Sequence, residues 1–197
     1  MGGAVCPYCF LFAGANYMKQ IKTKKLTITL ATSSDLPALE EIENECDAYF
    51  RFDPPFAAEY NRSLRECLAI GDMIPGVSGE NYKRENYHLY CIWKDNVLIG
   101  WISFYLGYQQ KDVVYLSVLY IKEANRKSGL GAEILAALTQ KWTAAGFRTI
   151  RLHCSLRNAT GLRFWVKNGF DRIIDVECTG DLYPENVGGI ELMKTIV

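Results

Sequence analysis

The sequence carries no surplus of charge: 22 Lys and Arg stand against 22 Asp and Glu. A neutral chain has no global field to hold a nucleic-acid backbone or an anionic membrane, so neither partner is expected and any basic site must be local. A long apolar run is lacking as well. The apolar, aromatic start MGGAVCPYCFLFAGANY, residues 1–17, is shorter than the ~18–20 residues a membrane span needs, and no cation precedes it as in a secretory signal. Gly2 invites comparison with an N-myristoylation site, but that motif wants Ser or Thr where Cys6 stands. Residues 1–17 therefore read as an N-terminal extension of unknown role, ahead of a single domain over 18–197.

Regular cysteine pairing is also missing. Cys6, Cys9, Cys46, Cys67, Cys91, Cys154 and Cys178 form an odd, scattered set. That argues against the disulfide framework of a small secreted domain and for reduced thiols in the cytoplasm. Cys6-Pro-Tyr-Cys9 has the spacing of half a zinc site, yet no second Cys or His pair follows at ligand spacing, so no metal is expected. Repeats and low-complexity tracts are absent too.

What the chain does have is periodicity. LTITLAT, residues 26–32, alternates as a strand does; Ser33, Ser34 and Asp35 then offer caps to a helix with Leu39, Ile42, Cys46 and Tyr49 on one face. The double proline in FRFDPPF breaks that helix, and a second helical pattern runs through Tyr60, Leu64, Cys67 and Leu68 to Gly71. YHLYCIW and VLIGWISFYLGY flank Lys94-Asp95-Asn96 and read as a hairpin, followed by the nearly continuous apolar strand VVYLSVLYI over 113–121. A helix from Gly131 carries Ile134, Leu135, Leu138 and Trp142 on one stripe and stops at Gly146. Strand TIRLHCS, a helix over 159–168 and strands near 171–178 and 190–196 complete the chain. The order is β-αα-βββ-α-β-α-ββ. It predicts an α+β fold, one mixed central sheet of about seven strands with helices on both faces.

NRKSGLGAEILAALTQ, residues 125–140, places two glycines and two cations where a strand gives way to a helix. A helix start presents N–H groups without intrahelical acceptors and the positive end of the helix dipole, so a glycine turn there suits a phosphate. Arg126 and Lys127 add charge at the same spot. The Walker loop and the dinucleotide fingerprint both fail: the first pattern is absent, and the second meets Ile134 where a third small residue belongs and Arg151 where an acid belongs. What remains is Arg126-x-x-Gly129-x-Gly131.

This hexad resembles the acetyl-coenzyme A signature of the GNAT acyltransferases. Leu119-Tyr120-Ile121 stands ahead of Arg126 as that family's strand end does, and NATGLRFWVKNGF, residues 158–170, is similar to its second motif. The element order from Leu26 onward matches as well. The resemblance implies two strands that part after a bulge, with the pantetheine arm between them against Leu119, Tyr120 and Ile121. It implies a pyrophosphate held by Arg126, Lys127, Ser128, Gly129, Leu130, Gly131 and Ala132, with Asn158 and Trp165 contacting the cofactor from the second motif. The implied reaction is direct attack of a primary amine on the thioester of acetyl-coenzyme A, with the Leu119 amide stabilising the oxyanion. The acceptor would be a small-molecule amine, a peptide N-terminus or a lysine, and the resemblance is compatible with a homodimer.

An ammonium has no lone pair, so a base is expected. His153 stands where related N-terminal acetyltransferases carry Glu, and imidazole as a group suits proton removal near neutral pH, directly or through water. It shares a strand face with Arg151 and Ser155 and could equally be a solvated or hydrogen-bonded histidine. His88 has no motif behind it, and Asp112 is a fallback base. Trp165 occupies the place of the usual Tyr acid, and indole supplies no proton; Tyr120 is then a substitute acid, unless water serves or the thiolate leaves unassisted. The acceptor pocket is expected from YFRFDPPF, residues 49–56, and TGDLYPENVGG, residues 179–189, with Tyr49, Phe52 and Phe56 as an aromatic wall and Asp47, Asp53 or Asp181 attracting an amine. Two alternatives stand beside this reading: a coenzyme A binding module without transfer activity, and an interaction domain whose turn binds nothing.

Overall fold

The computed structural model describes residues 18–45, 83–178 and 188–197. The extension 1–17, the helical pattern around Tyr60–Gly71, and the acceptor candidates Asp47, Tyr49, Phe52, Asp53, Phe56 and Asp181 lie outside these residues.

Among the described residues eight strands form one sheet in the order β1-β2-β3-β4-β5-β6-β8-β7. They are β1 (Gln20–Lys22), β2 (Thr27–Leu30), β3 (Tyr87–Lys94), β4 (Val97–Leu106), β5 (Val113–Ile121), β6 (Thr149–Ser155), β7 (Arg172–Cys178) and β8 (Gly188–Thr195). The α-helices among the described residues are α1 (Leu36–Glu45), α2 (Leu130–Ala144) and α3 (Ala159–Lys167). The mixed α+β fold stands as expected, with one strand more than anticipated: β1 hides in the polar stretch MKQIKTKKL, and of its three residues only Ile21 is buried, between two exposed neighbours.

Neighbouring strands pair antiparallel except β5 and β6, which run parallel with α2 as their crossover. The β3–β4 hairpin turns on Asp95 and Asn96, both at positive φ (49° and 63°), a left-handed pair that follows the twist of the flanking strands. Asp35 turns its carboxylate back onto the Thr32 amide (2.8 Å) just before α1.

The two faces of the sheet are covered by different helices. On one, α2 buries Leu130, Ile134, Leu135, Leu138 and Trp142 against Ile102, Phe104, Val114, Leu116 and Ile150, joined by Trp165 and Phe170 from α3 and its exit. Each such side chain contributes about 1.5–3 kcal/mol when fully buried. On the other, Leu39 and Ile42 of α1 cover Leu89, Cys91, Trp101 and Tyr120, and a tyrosine cluster of Tyr87, Tyr105, Tyr108 and Tyr115 continues along the sheet.

Candidate active site

The site begins where β5 and β6 part. Their ladder holds three pairs, Val113↔Thr149, Val114↔Ile150 and Tyr115↔Arg151, while β5 runs on to Ile121 and β6 to Ser155. At the same level the β4–β5 register slips: Phe104 pairs with Leu116 but Ser103 with Val118, leaving Ser117 as an extra residue in β5. An extra residue bends a strand and reverses which face its later side chains take. Hence Val114 and Leu116 pack under α2, whereas Val118 and Tyr120 pack under α1. Leu119 and Ile121 return to the α2 face, half-buried against its core.

The exposed turn after β5 leads into α2. Lys127 (φ 60°) and Gly129 (φ 83°) both adopt left-handed backbone, and Gly129 is the N-cap of α2. Glycine reaches that conformation without strain and brings no side chain to cap the first-turn amides of Leu130, Gly131 and Ala132. Among the described residues nothing lies within 4 Å of where a Cβ on Gly129 would sit. Gly131 is glycine for another reason. A Cβ there would stand 3.1 Å from the Phe164 ring of α3, so this position lets α3 close on the start of α2.

Arg126 does not extend freely into solvent. Its Nε donates to the Ile121 carbonyl (2.7 Å) and its guanidinium lies 5.1 Å from the Tyr120 ring centroid. The side chain thus ties the turn to the end of β5, with one of five N–H donors used in that bond. Ser128 Oγ donates to the Asn125 carbonyl (2.6 Å) and tightens the same turn. Glu133, in the first turn of α2, accepts from Thr23 Oγ1 and the Lys25 amide; the Thr23 bond is the main cause that holds its carboxyl below the usual range.

Asn158 caps α3, its Oδ1 accepting from the Gly161 amide (2.8 Å), and is buried three residues after the end of β6. Trp165 sits in the core, edge-on to Phe164 and Phe170 with centroids 4.8 and 5.4 Å away. Tyr120 is 5% exposed under α1.

His153 lies on β6 beyond the last β5 pair, on the α1 side of the sheet with Arg151 and Ser155, since Ile150, Leu152 and Cys154 take the buried face. Next to it Arg151 donates through Nε to Glu191 of β8 and through Nη1 to Gln109 (2.7 Å), with its guanidinium 5.2 Å from the Tyr108 centroid. Burial alone would lower the Arg151 pKa, but the Glu191 hydrogen bond and charge outweigh it and hold it raised. Burial, then the Glu191 charge, raise the Tyr108 phenol. Neither the Arg151–Glu191 pair nor Gly189, over which His153 leans, was singled out from the sequence. A glycine pair opening a strand, as in Gly188-Gly189, is nonetheless a signal of close approach to the backbone.

The other two candidates fall elsewhere. His88 pairs with Phe104 across β3 and β4 and stacks on it at 5.4 Å, on the α2 face. Asp112 uses its carbonyl for the Arg148 and Thr149 amides at the closed end of the β5–β6 pair; seven residues of strand, roughly 23 Å, separate it from Leu119. Among the described residues no three His, Cys, Asp or Glu side chains converge as metal ligands, and no helix is long and apolar enough to cross a membrane.

The sequence profile of the Acetyltransferase (GNAT) family matches residues 36–170, more than half of the chain. No curated protein matches the sequence. Among solved structures, the ribosomal L7/L12 alpha-N-protein acetyltransferase RimL, in complex with coenzyme A, superposes with a TM-score of 0.67 at 17% identity, covering 90% of this chain and 98% of its own. The ribosomal-protein-S18-alanine N-acetyltransferase of Escherichia coli gives a TM-score of 0.62 at 18% identity over 87% of this chain and 94% of its own. An acetyl transferase of Salmonella typhimurium that modifies the N-terminal serine of L7/L12 gives 0.63 at 16%, over 89% and 97%. Identities this low speak to the shared fold.

Proposed function

The chain belongs to the GNAT acetyltransferase family, and on that premise we propose that it is an acetyl-coenzyme A dependent N-acetyltransferase acting on a primary amine. One observation carries the reading: β5 and β6 part beyond Tyr115 and Arg151, beside a helix start whose N-cap glycine leaves space. The residues present fit the cosubstrate, because a Cβ at 129 would project into space that no described residue occupies within 4 Å, beside the first-turn amides of a helix. The turn Arg126–Ala132 would hold the diphosphate, and Leu119, Tyr120 and Ile121 would pair with the pantetheine arm. When bound, acetyl-coenzyme A supplies an acyl group activated as a thioester.

The chain's own groups have three tasks. His153 takes a proton from the acceptor ammonium, directly or through water, by way of Nδ1, because Nε2 is buried. The Leu119 amide donates to the carbonyl oxygen as negative charge develops there. Protonation of the departing thiolate falls to Tyr120 or to water; a thiol pKa near ~8.5 also lets it leave unassisted.

The proposal is tested by chromatographic detection of free coenzyme A after incubating the full chain with acetyl-coenzyme A and a panel of amines. The panel contains a small aromatic amine, a lysine peptide, and peptides with N-terminal Ala or Ser. Release that depends on one of these amines is the expected result. Calorimetric binding of acetyl-coenzyme A with no release would favour a binding module instead, a reading encouraged by Trp165, a core aromatic where the family usually has Tyr. Absence of both binding and release would leave neither.

A further inference from the structure

We propose that Gly189 is a positioning residue: its missing side chain is the seat on which the imidazole of His153 rests, fixing where that ring stands beside the gap. This rests on the reading of His153 as the base.

β6 and β8 run antiparallel with His153 directly opposite Glu191 and Ser155 opposite Gly189, so Gly189 is the diagonal neighbour of His153 on the same face. A Cβ on Gly189 would fall well inside 3.0 Å of both Nε2 and Cε1 of His153, closer than real Cβ atoms approach anything. Nε2 and Cε1 are the far edge of the imidazole. The ring therefore reaches across from β6 and lies over the bare backbone of β8.

The ground on the other side is taken. The residue directly opposite, Glu191, is engaged by Arg151, which also bonds Gln109 and covers Tyr108. An ion pair locked between two strands and a tyrosine leaves the diagonal over Gly189 as the place for the ring. A glycine inside a strand weakens it, because it adds backbone entropy to the unfolded chain and gives nothing to pack, and it is found where another group approaches the backbone closely. Here that group is His153. The base is in this way held before any acceptor arrives, and displacing a reacting group by about 1 Å can lower a rate about a hundredfold.

The test uses the full chain and the fact that it holds two histidines, so the imidazole proton spectrum has two Hε1 signals, the second assigned by its loss in His153→Ala. In the wild type an Overhauser contact between His153 Hε1 and Gly189 Hα is expected; its absence overturns the seat. In Gly189→Ala the atoms in conflict are the tip of a side chain with two free torsions, so the ring moves and the fold persists. The contact to residue 189 is lost, acetyl-coenzyme A affinity by calorimetry is unchanged, and kcat with the panel amine turned over fastest falls about tenfold to a hundredfold. His153→Ala lowers kcat about a hundredfold or more, and adding Gly189→Ala to it costs nothing further.

An equal loss from Gly189→Ala in both backgrounds, or full turnover in Gly189→Ala beside an impaired His153→Ala, overturns the positioning role. Full turnover in His153→Ala removes the base reading while the Overhauser contact remains, and no turnover with any amine counts against the proposed function, so the failures are distinguishable. Should Gly189→Ala alone fail to fold, the double variant, which lacks the ring, decides: folding with His153→Ala turnover supports the seat, and failure to fold refutes it.

Discussion

Gly129→Ala separates two reasons for a glycine at the mouth of α2. The residue sits at φ 83°, a left-handed conformation that costs an L-residue about 1–2 kcal/mol. For a chain of this size that is a fall in Tm of about 2–8 °C. No steric penalty adds to it, because the new methyl meets nothing described within 4 Å. If the open space belongs to a diphosphate, the methyl also pushes the anion away from the first-turn amides. Hydrogen bonds to a charged group contribute about 1.5–3 kcal/mol each, so loss of one weakens acetyl-coenzyme A binding roughly tenfold to a hundredfold. Gly129→Glu carries the same backbone cost and sets a carboxylate against the phosphates, a repulsion of about 1–4 kcal/mol per charge pair at 4 Å between bulk water and a protein surface. Binding should then fall below calorimetric detection. The two readouts are thermal unfolding and calorimetric Kd. A lowered Tm with unchanged Kd in both variants would show that this glycine only turns the chain, and the phosphate site would have to be moved elsewhere.

Three further outcomes are expected. Gly131→Ala should destabilise the protein by about 1–3 kcal/mol in denaturant unfolding, because its Cβ comes 3.1 Å from the Phe164 ring, and Phe164→Leu should relieve most of the added cost; additive losses would show the ring is not the obstacle. Glu133→Gln should lower stability at neutral pH. The Glu133 pKa is depressed in the folded state, so its contribution is present above the unfolded value, near 4.5, and lost as pH falls through the lower folded value. The gap between wild type and variant should thus close below pH 4.5, and a constant gap down to pH 2 would refute the tie to Thr23. Burial, then the charge of Asp35, push the Cys91 thiol up to about 12, whereas Cys178 is exposed at the end of β7. Peptide-resolved alkylation at pH 8 should label Cys178 quickly and spare Cys91 until the chain is unfolded.

The sequence by itself determined what is encoded within single elements. The β3–β4 hairpin follows from alternation on either side of Asp95-Asn96, the α2 stripe from apolar residues at helical spacing, and the left-handed turn from Gly129 at the junction of a strand and a helix. Family membership was legible for the same reason, since both motifs are short and contiguous. β1 was missed because a three-residue strand among lysines carries no periodicity; pairing with β2 forms it. Tertiary structure decided everything that depends on how one element registers against another. The ladder between β5 and β6 ends at Tyr115, and the extra Ser117 that reverses the faces of Val118 and Tyr120 exists only relative to β4. Gly129 and Gly131 look alike in the sequence, yet one faces open space and the other the Phe164 ring. The sequence reads Arg126 as a cation at the turn, and only the fold adds its bond to the Ile121 carbonyl; it reads His153 as a candidate base sharing a face with Arg151 and Ser155, and only β8 brings a bare glycine beneath its ring. Period and turn chemistry are local properties of a chain, whereas the position of an imidazole over another strand's backbone is a non-local one, fixed when the strands pack.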